Sequence, residues 1–187
     1  MTVNNQMSGM TCEEIFRTIN DRQIQALMFH DGMSDFYDFL GLYGFKRWHY
    51  HQYKSESKEH KHTKHYFMKL HNKLIQENPT PIAPVIPTDW FKYTRMDVTS
   101  QIKKQYTESS FKRYKEWEEE TKALYVDCAK ALYDMGNICD YSYVLKLIED
   151  VKSELVCIYK YMVCMKSVDY DMNYVMDIQD KIHRKYK

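Results

Sequence analysis

Residues 44–77 read GFKRWHYHQYKSESKEHKHTKHYFMKLHNKLIQE, and their spacing decides the fold. Steps of three and four from Phe45 trace one helix face through Trp48, Gln52, Glu56, Glu59, Thr63, Tyr66, Leu70 and Leu74. Both ends of that face are apolar, while its middle is polar and carries two carboxylates. Uncompensated charge on the inward side of a bundle is costly. The stretch therefore predicts a long helix in a bundle whose polar middle is suited to a metal.

The flanking sequence supplies partners for that helix. Upstream, Gly41-Leu-Tyr-Gly44 is a tight break that makes neighbouring helices antiparallel. The helix before it is expected over 21–40, with a seam of Ala26, His30, Met33, Tyr37 and Leu40. Thr11-Cys-Glu-Glu14 reads as a capping box opening a short helix to about Thr18, after which Asn20 can cap a fresh start. Residues 1–10 show no periodic pattern and are expected as a flexible lead-in, leaving 11–187 as a single helical domain.

Downstream, all the prolines of the chain (Pro79, Pro81, Pro84 and Pro87) fall in one segment. That density excludes helix and favours an extended path. A helix of about 34 residues is about 50 Å long, and the roughly 20 residues of 78–98 can extend over about 65 Å. The connection can thus run the length of the bundle and start the third helix at the opposite end, a four-helix bundle with one long crossover. Ile82, Val85, Ile86, Trp90, Phe91 and Tyr93 are the residues expected to hold it down.

The third helix is expected over 99–135, with Phe111, Tyr114, Trp117 or Glu118, Thr121, Leu124 or Tyr125, Cys128 and Leu132 inward and a stop at Gly136-Asn137. The fourth starts near Asp140 and carries the most regular seam: Val144, Ile148, Val151, Leu155, Ile158, Met162 and Met165, flanked by Glu154. A short last helix spans about 170–184, with Tyr174 or Val175, Ile178 and Ile182 on one side.

Composition agrees with an all-α chain. The 187 residues include only 5 glycines, few for a fold of many turns. A formal net charge of +1 gives no argument for nucleic acid as a partner. The acidic run at 116–120 reads as a solvated helix face. No apolar run approaches the roughly 20 residues of a membrane span. Cys12, Cys128, Cys139, Cys157 and Cys164 form an odd set without close pairs, and no hydrophobic leader is visible, so a cytoplasmic setting with free thiols is expected.

A metal centre inside such a bundle needs inward carboxylates and histidines at one level on several helices. The candidates at matching depth are His30, Glu56, Glu59, Glu118 and Glu154. Glu56 and Glu59, three apart, share a face as neighbouring ligands require. The remaining histidines of the stretch (His49, His51, His60, His62, His65 and His71) fall on several faces, which argues against an adventitious surface metal patch, and on so charged a helix they read as a solvated face. Cys157 reads as a small core residue.

At Gly44-Phe-Lys-Arg-Trp-His-Tyr-His-Gln-Tyr-Lys-Ser-Glu-Ser-Lys-Glu-His60 the chain resembles the ferritin family, whose second helix runs from a Phe-led segment through His-Gln to Glu-x-x-His. The resemblance implies a ferritin-like four-helix bundle with a short C-terminal helix, an iron centre within it, and homo-oligomeric assembly. Laid on that pattern, Glu56 matches the Glu that bridges two irons, Tyr37 the first-helix tyrosine near the iron, Glu118 the third-helix ligand and Glu154 the fourth-helix position. Two residues depart from it: His30 stands where the first-helix Glu is usual, and Glu59 where the His is usual. A Glu-x-x-His does occur one step later, in Glu59 and His62.

Two readings follow. In the first, the protein binds iron, or manganese or zinc, at a divergent carboxylate and histidine centre, with ferrous oxidation and storage as its chemistry and Tyr37 as a nearby redox side chain. In the second, the altered ligands mark a metal-free ferritin-fold structural or interaction module, with Glu56 and Glu59 bonded to Lys or Arg or facing solvent.

Overall fold

A computed structural model of the chain describes residues 7, 9–86 and 88–186; Pro87 and most of the 1–10 lead-in lie outside these. Among the described residues there are five α-helices and no strand. They are α1 (Cys12–Phe39), α2 (Tyr43–His71), α3 (Ser100–Asp134), α4 (Ile138–Lys166) and a short α5 (Met172–Lys185). α1 packs mainly on α2 and α3 on α4, while α5 lies against the start of α2.

The predicted capping box opens α1: the Thr11 hydroxyl accepts from the Glu14 amide, and the Glu14 carboxylate accepts from the Thr11 amide at 2.7 Å. The expected interruption near Asn20 does not occur. α1 runs unbroken, with Ile15, Phe16, Ile19 and Asn20 all buried along it, so packing overrides the local capping signal. α2 ends at Asn72 in the left-handed conformation (φ 53°), several residues short of the expected end. The lower half of the expected stripe also shifts by one position. Phe67 is buried, whereas Leu70 and Leu74 are exposed. The buried face passes from Thr63 to Phe67, four residues on, and Leu74 lies beyond the end of the helix.

The crossover is extended from Lys73 and closes with two short 3₁₀ turns, Thr88–Lys92 and Arg95–Asp97. Trp90 is its anchor, buried against Phe36, Phe39 and Tyr106, with Ile82, Val85, Ile86 and Tyr93 packed around it. Phe91, expected to lie inward, is 76% exposed. In the lead-in, Met7 is buried rather than free, packed with Phe16 and Phe67.

The core is in two parts. One apolar cluster gathers Phe29, Met33, Phe45, Trp48, Phe111, Trp117, Ile158 and the α5 residues Val175, Ile178 and Ile182. The other gathers Ile15, Phe16, Phe67, Tyr125, Leu132, Val144, Ile148 and Leu155. A polar layer separates them, and it contains every carboxylate singled out from the sequence.

Candidate metal centre

His30 of α1, Glu118 of α3 and Glu154 of α4 meet in that layer, with one donor atom from each within 4.8 Å of the others. His30 and Glu118 are buried and Glu154 is half-buried. The Nε2 atom of His30 is buried without a hydrogen-bond partner among the described residues, 3.9 Å from Glu118 Oε1. Its Nδ1 lies 3.0 Å from Nδ1 of His49, a residue the sequence reading had placed on the surface. His49 is instead 1% exposed. Burial pushes His30 down to about 3 and His49 well below the usual imidazole range, so both rings are neutral near pH 7. One Nδ1 must therefore donate to the other. If His30 is the donor, its Nε2 lone pair points at the space between the carboxylates.

Glu56 and Glu59 project from α2 on one side of this trio and fall outside its 4.8 Å circle. Both are half-buried. With Glu154 and Asp150 they line a cleft of about 340 Å³ between α2 and α4, bordered by Trp48, Gln52 and the C-terminal Tyr186. No Lys or Arg lines that cleft. Among the described residues, none pairs with Glu56, Glu59, Glu118 or Glu154.

Burial raises all four carboxyls, and they reinforce one another. Glu118 is pushed well up by burial and then by Glu154 and Glu56, and Glu56 by burial and then by Glu59 and Glu154. Glu59 and Glu154 are pushed up to about 7 by burial, against hydrogen bonds from Gln23 and Tyr114 respectively. The nearest guanidinium, Arg22, is engaged elsewhere. It stacks on Trp117 at 3.5 Å, donates to Thr121 and to the Trp117 carbonyl, and pairs with Glu120. It lowers Glu118 only at a distance.

The donor set therefore fits a divalent cation on two grounds: an orphaned, buried imidazole nitrogen, and four raised carboxyls with no protein cation to neutralise them. A cation would relieve both, and the acidic cleft is a route for it from solvent.

Tyr37 is fully buried, and its hydroxyl is 2.6 Å from Ser110 Oγ rather than at a carboxylate. The tyrosine that reaches the centre is Tyr114, whose hydroxyl donates to Glu154 Oε2 at 3.2 Å and whose ring lies edge-on to His30. In the sequence Tyr114 stands only as a seam residue of α3. Gln23, absent from the sequence candidates, is buried and donates through Nε2 both to Glu59 Oε1 and to Thr63 Oγ1 at 2.9 Å. His49 had a legible signal, since it is four residues after Phe45 and three before Gln52 and so shares their face. Gln23 had one too: it lies seven residues before His30.

No protein-family model and no curated protein matches the sequence. Solved structures do match it over nearly the whole chain. A form of the Archaeoglobus fulgidus ferritin engineered to be closed aligns with a TM-score of 0.75 at 13% identity, covering 92% of this chain and 94% of that one. The open-pore ferritin of the same archaeon aligns at 0.71 and 11%, covering 92% and 95%. A variant of PmFTN soaked in iron aligns at 0.69 and 10%, covering 90% and 96%. Helix order, the long connection after α2, the short fifth helix and these alignments together give one conclusion: this chain has the ferritin-like four-helix fold.

Proposed function

We propose that the protein binds ferrous iron, or a similar divalent ion, in the polar layer of its bundle. The observation that carries this reading is the trio of His30, Glu118 and Glu154, which is buried without a Lys or Arg partner and has a free imidazole nitrogen aimed into it. His30 Nε2 and the Glu118 and Glu154 carboxylates would be the inner ligands. Glu56 and Glu59 would receive ions from the cleft and share a second one. Manganese has the same taste for oxygen and imidazole; zinc would also be held.

Iron here is substrate and cargo. Oxidation of two ferrous ions gives up two electrons, which dioxygen takes with two protons to leave as hydrogen peroxide. In that chemistry the protein's part is to hold the ions close and to exclude bulk water through Trp48, Phe29 and Trp117. It also keeps the Tyr114 hydroxyl at Glu154 as a nearby electron and proton donor; Tyr37 is one ring further out, stacked on His49. Self-assembly of the chain is part of the same proposal, supported by the ferritin neighbours. No described helix is long and apolar enough to cross a membrane.

One observation favours the metal-free reading. Gln23 gives Glu59 a neutral hydrogen-bond partner, and protonated carboxyls would then tolerate one another. Metal analysis of untagged protein, before and after anaerobic ferrous loading, separates the two. Retained iron that is lost in Glu118→Gln, Glu154→Gln supports the centre. Wild-type protein that retains neither iron nor manganese leaves a structural or interaction module. Size-exclusion chromatography tests assembly.

A further inference from the structure

A second group of metal-ligand side chains lies away from the polar layer, where the first turns of α1 and α4 meet the last turn of α2. Cys12, His71 and Asp140 each bring one donor atom within 4.8 Å of the other two. Cys12 Sγ is 3.2 Å from Asp140 Oδ2 and 3.8 Å from His71 Nε2. His71 Nε2 is 3.1 Å from Asp140 Oδ2 and 3.2 Å from Oδ1. Donors at tetrahedral positions around a zinc ion, about 2.3 Å away for sulfur and about 2.0 Å for nitrogen or oxygen, stand about 3.3–3.6 Å from one another. The three observed separations fall within a few tenths of an ångström of that range.

The arrangement is convergent. A Cys-His-Asp relay for nucleophilic catalysis uses one ring nitrogen for the thiol and the other for the carboxylate. Here the same Nε2 faces both, so the three donors surround a point instead of forming a chain. Asp140 supports that reading. It is 2% exposed, and among the described residues no Lys or Arg pairs with it. Its neighbours are the Cys12 thiol, His71 and the Tyr66 hydroxyl, which donates to Oδ1 at 3.1 Å. The His71 ring is held by stacking on Phe67 at 4.5 Å. Cys12 and His71 are half-buried, which leaves a path from solvent.

We propose that Cys12, His71 and Asp140 form a site for a borderline-soft divalent cation, zinc or cobalt, separate from the bundle centre. Sulfur and nitrogen donors select such ions, whereas the carboxylate-rich polar layer suits iron and manganese. The site ties together the ends of three helices. Three protein ligands leave a fourth position for water, with the Tyr66 hydroxyl beside it. Cys12 enters as the thiolate, and its proton leaves to solvent as the ion binds.

The test is titration of the full, untagged chain with cobalt(II), followed by zinc. A thiolate-to-cobalt charge-transfer band in the near ultraviolet is expected, saturating at about one ion per chain and abolished by zinc. Only a sulfur ligand gives that band, and the cysteine variants assign which sulfur it is. It should vanish in Cys12→Ala and in His71→Gln, the latter a half-buried change that keeps a polar side chain of similar length. It should persist in Cys139→Ala, in Cys157→Ala and in Glu118→Gln, Glu154→Gln, so failure of the bundle-centre reading leaves it intact. Absence of the band in wild type overturns the proposal, as does its survival in either the Cys12 or the His71 variant. Its loss in Cys157→Ala overturns it too, since that thiol borders the acidic cleft.

Discussion

His30 and His49 face each other Nδ1 to Nδ1 at 3.0 Å, and Tyr37 stacks on the His49 ring at a 16° tilt. The pair fixes which nitrogen of His30 is available. A ligand histidine ordinarily donates its other ring N–H to an acceptor, and losing that acceptor lowers metal affinity by about 10–100-fold. His49→Phe keeps an aromatic ring in the stack but removes the acceptor. Ferrous or manganese affinity is expected to drop by about that factor, with the helical circular-dichroism signal unchanged. Equal affinity in variant and wild type would mean that His49 does not orient His30.

The raised carboxyls make stability depend on pH in a defined direction. Glu59 and Glu154 sit at about 7 in the fold against an ordinary 4.5. The folded state therefore holds protons that the unfolded chain has lost. Their contribution is fully present below the unfolded value and is lost as pH rises through about 7. His30 acts oppositely: at about 3 against an ordinary 6.5, its contribution is present above 6.5 and lost as pH falls toward 3. Metal-free protein should thus melt at a lower temperature at about pH 8 than at about pH 6.5, while between about pH 6.5 and 5 the carboxyl gain and the histidine loss oppose each other. Glu59→Gln, Glu154→Gln should flatten the fall between about pH 6.5 and 8, and a bound divalent cation should restore stability there. Identical melting temperatures at pH 6.5 and 8 in the metal-free wild type would contradict the raised values.

Periodicity alone revealed the helices because each seam repeats a single rule many times. The α4 seam from Val144 to Met165 was legible for that reason, and Trp90 as a large apolar side chain in a proline-rich connection. The failures occur where one local signal competes with packing. Asn20 has the chemistry of a cap, yet the apolar residues on either side of it bury the helix straight through it. His49 shares the inward face of Phe45 and Gln52, and the many neighbouring charges and histidines masked that spacing. The centre was half legible. Inward acids could be identified from spacing, but their grouping into an inner trio and an outer pair depends on helix–helix angles that no single helix encodes.

Phe67 and Leu70 decide the register of the second half of α2. Phe67 is 1% exposed and packs against Phe16 at 5.0 Å, whereas Leu70 is 49% exposed. Phe67→Ala should cost about 3–5 kcal/mol. Leu70→Ala should stay within about 0.5 kcal/mol of wild type. Urea unfolding of the two variants reads the difference directly. A reversed order would return the stripe to the register that simple three-and-four counting gives.

At Gly44 the backbones of α2 and α5 come into close contact. A Cβ added there would sit 1.8 Å from the backbone carbonyl oxygen of Gln179, and the Gly44 amide already donates to Gln179 Oε1 at 2.7 Å. The obstacle is backbone, so no rotamer change relieves it, and α5 must lift. Gly44→Ala should therefore cost about 1–3 kcal/mol or more and expose Val175, Ile178 and Ile182, which are buried only while α5 is docked. The loss should be local: cleavage by trypsin at Lys181, Arg184 and Lys185 should accelerate several-fold, while α1 to α4 keep their helical signal. Unchanged cleavage at those sites in Gly44→Ala would show that α5 does not pack through Gly44.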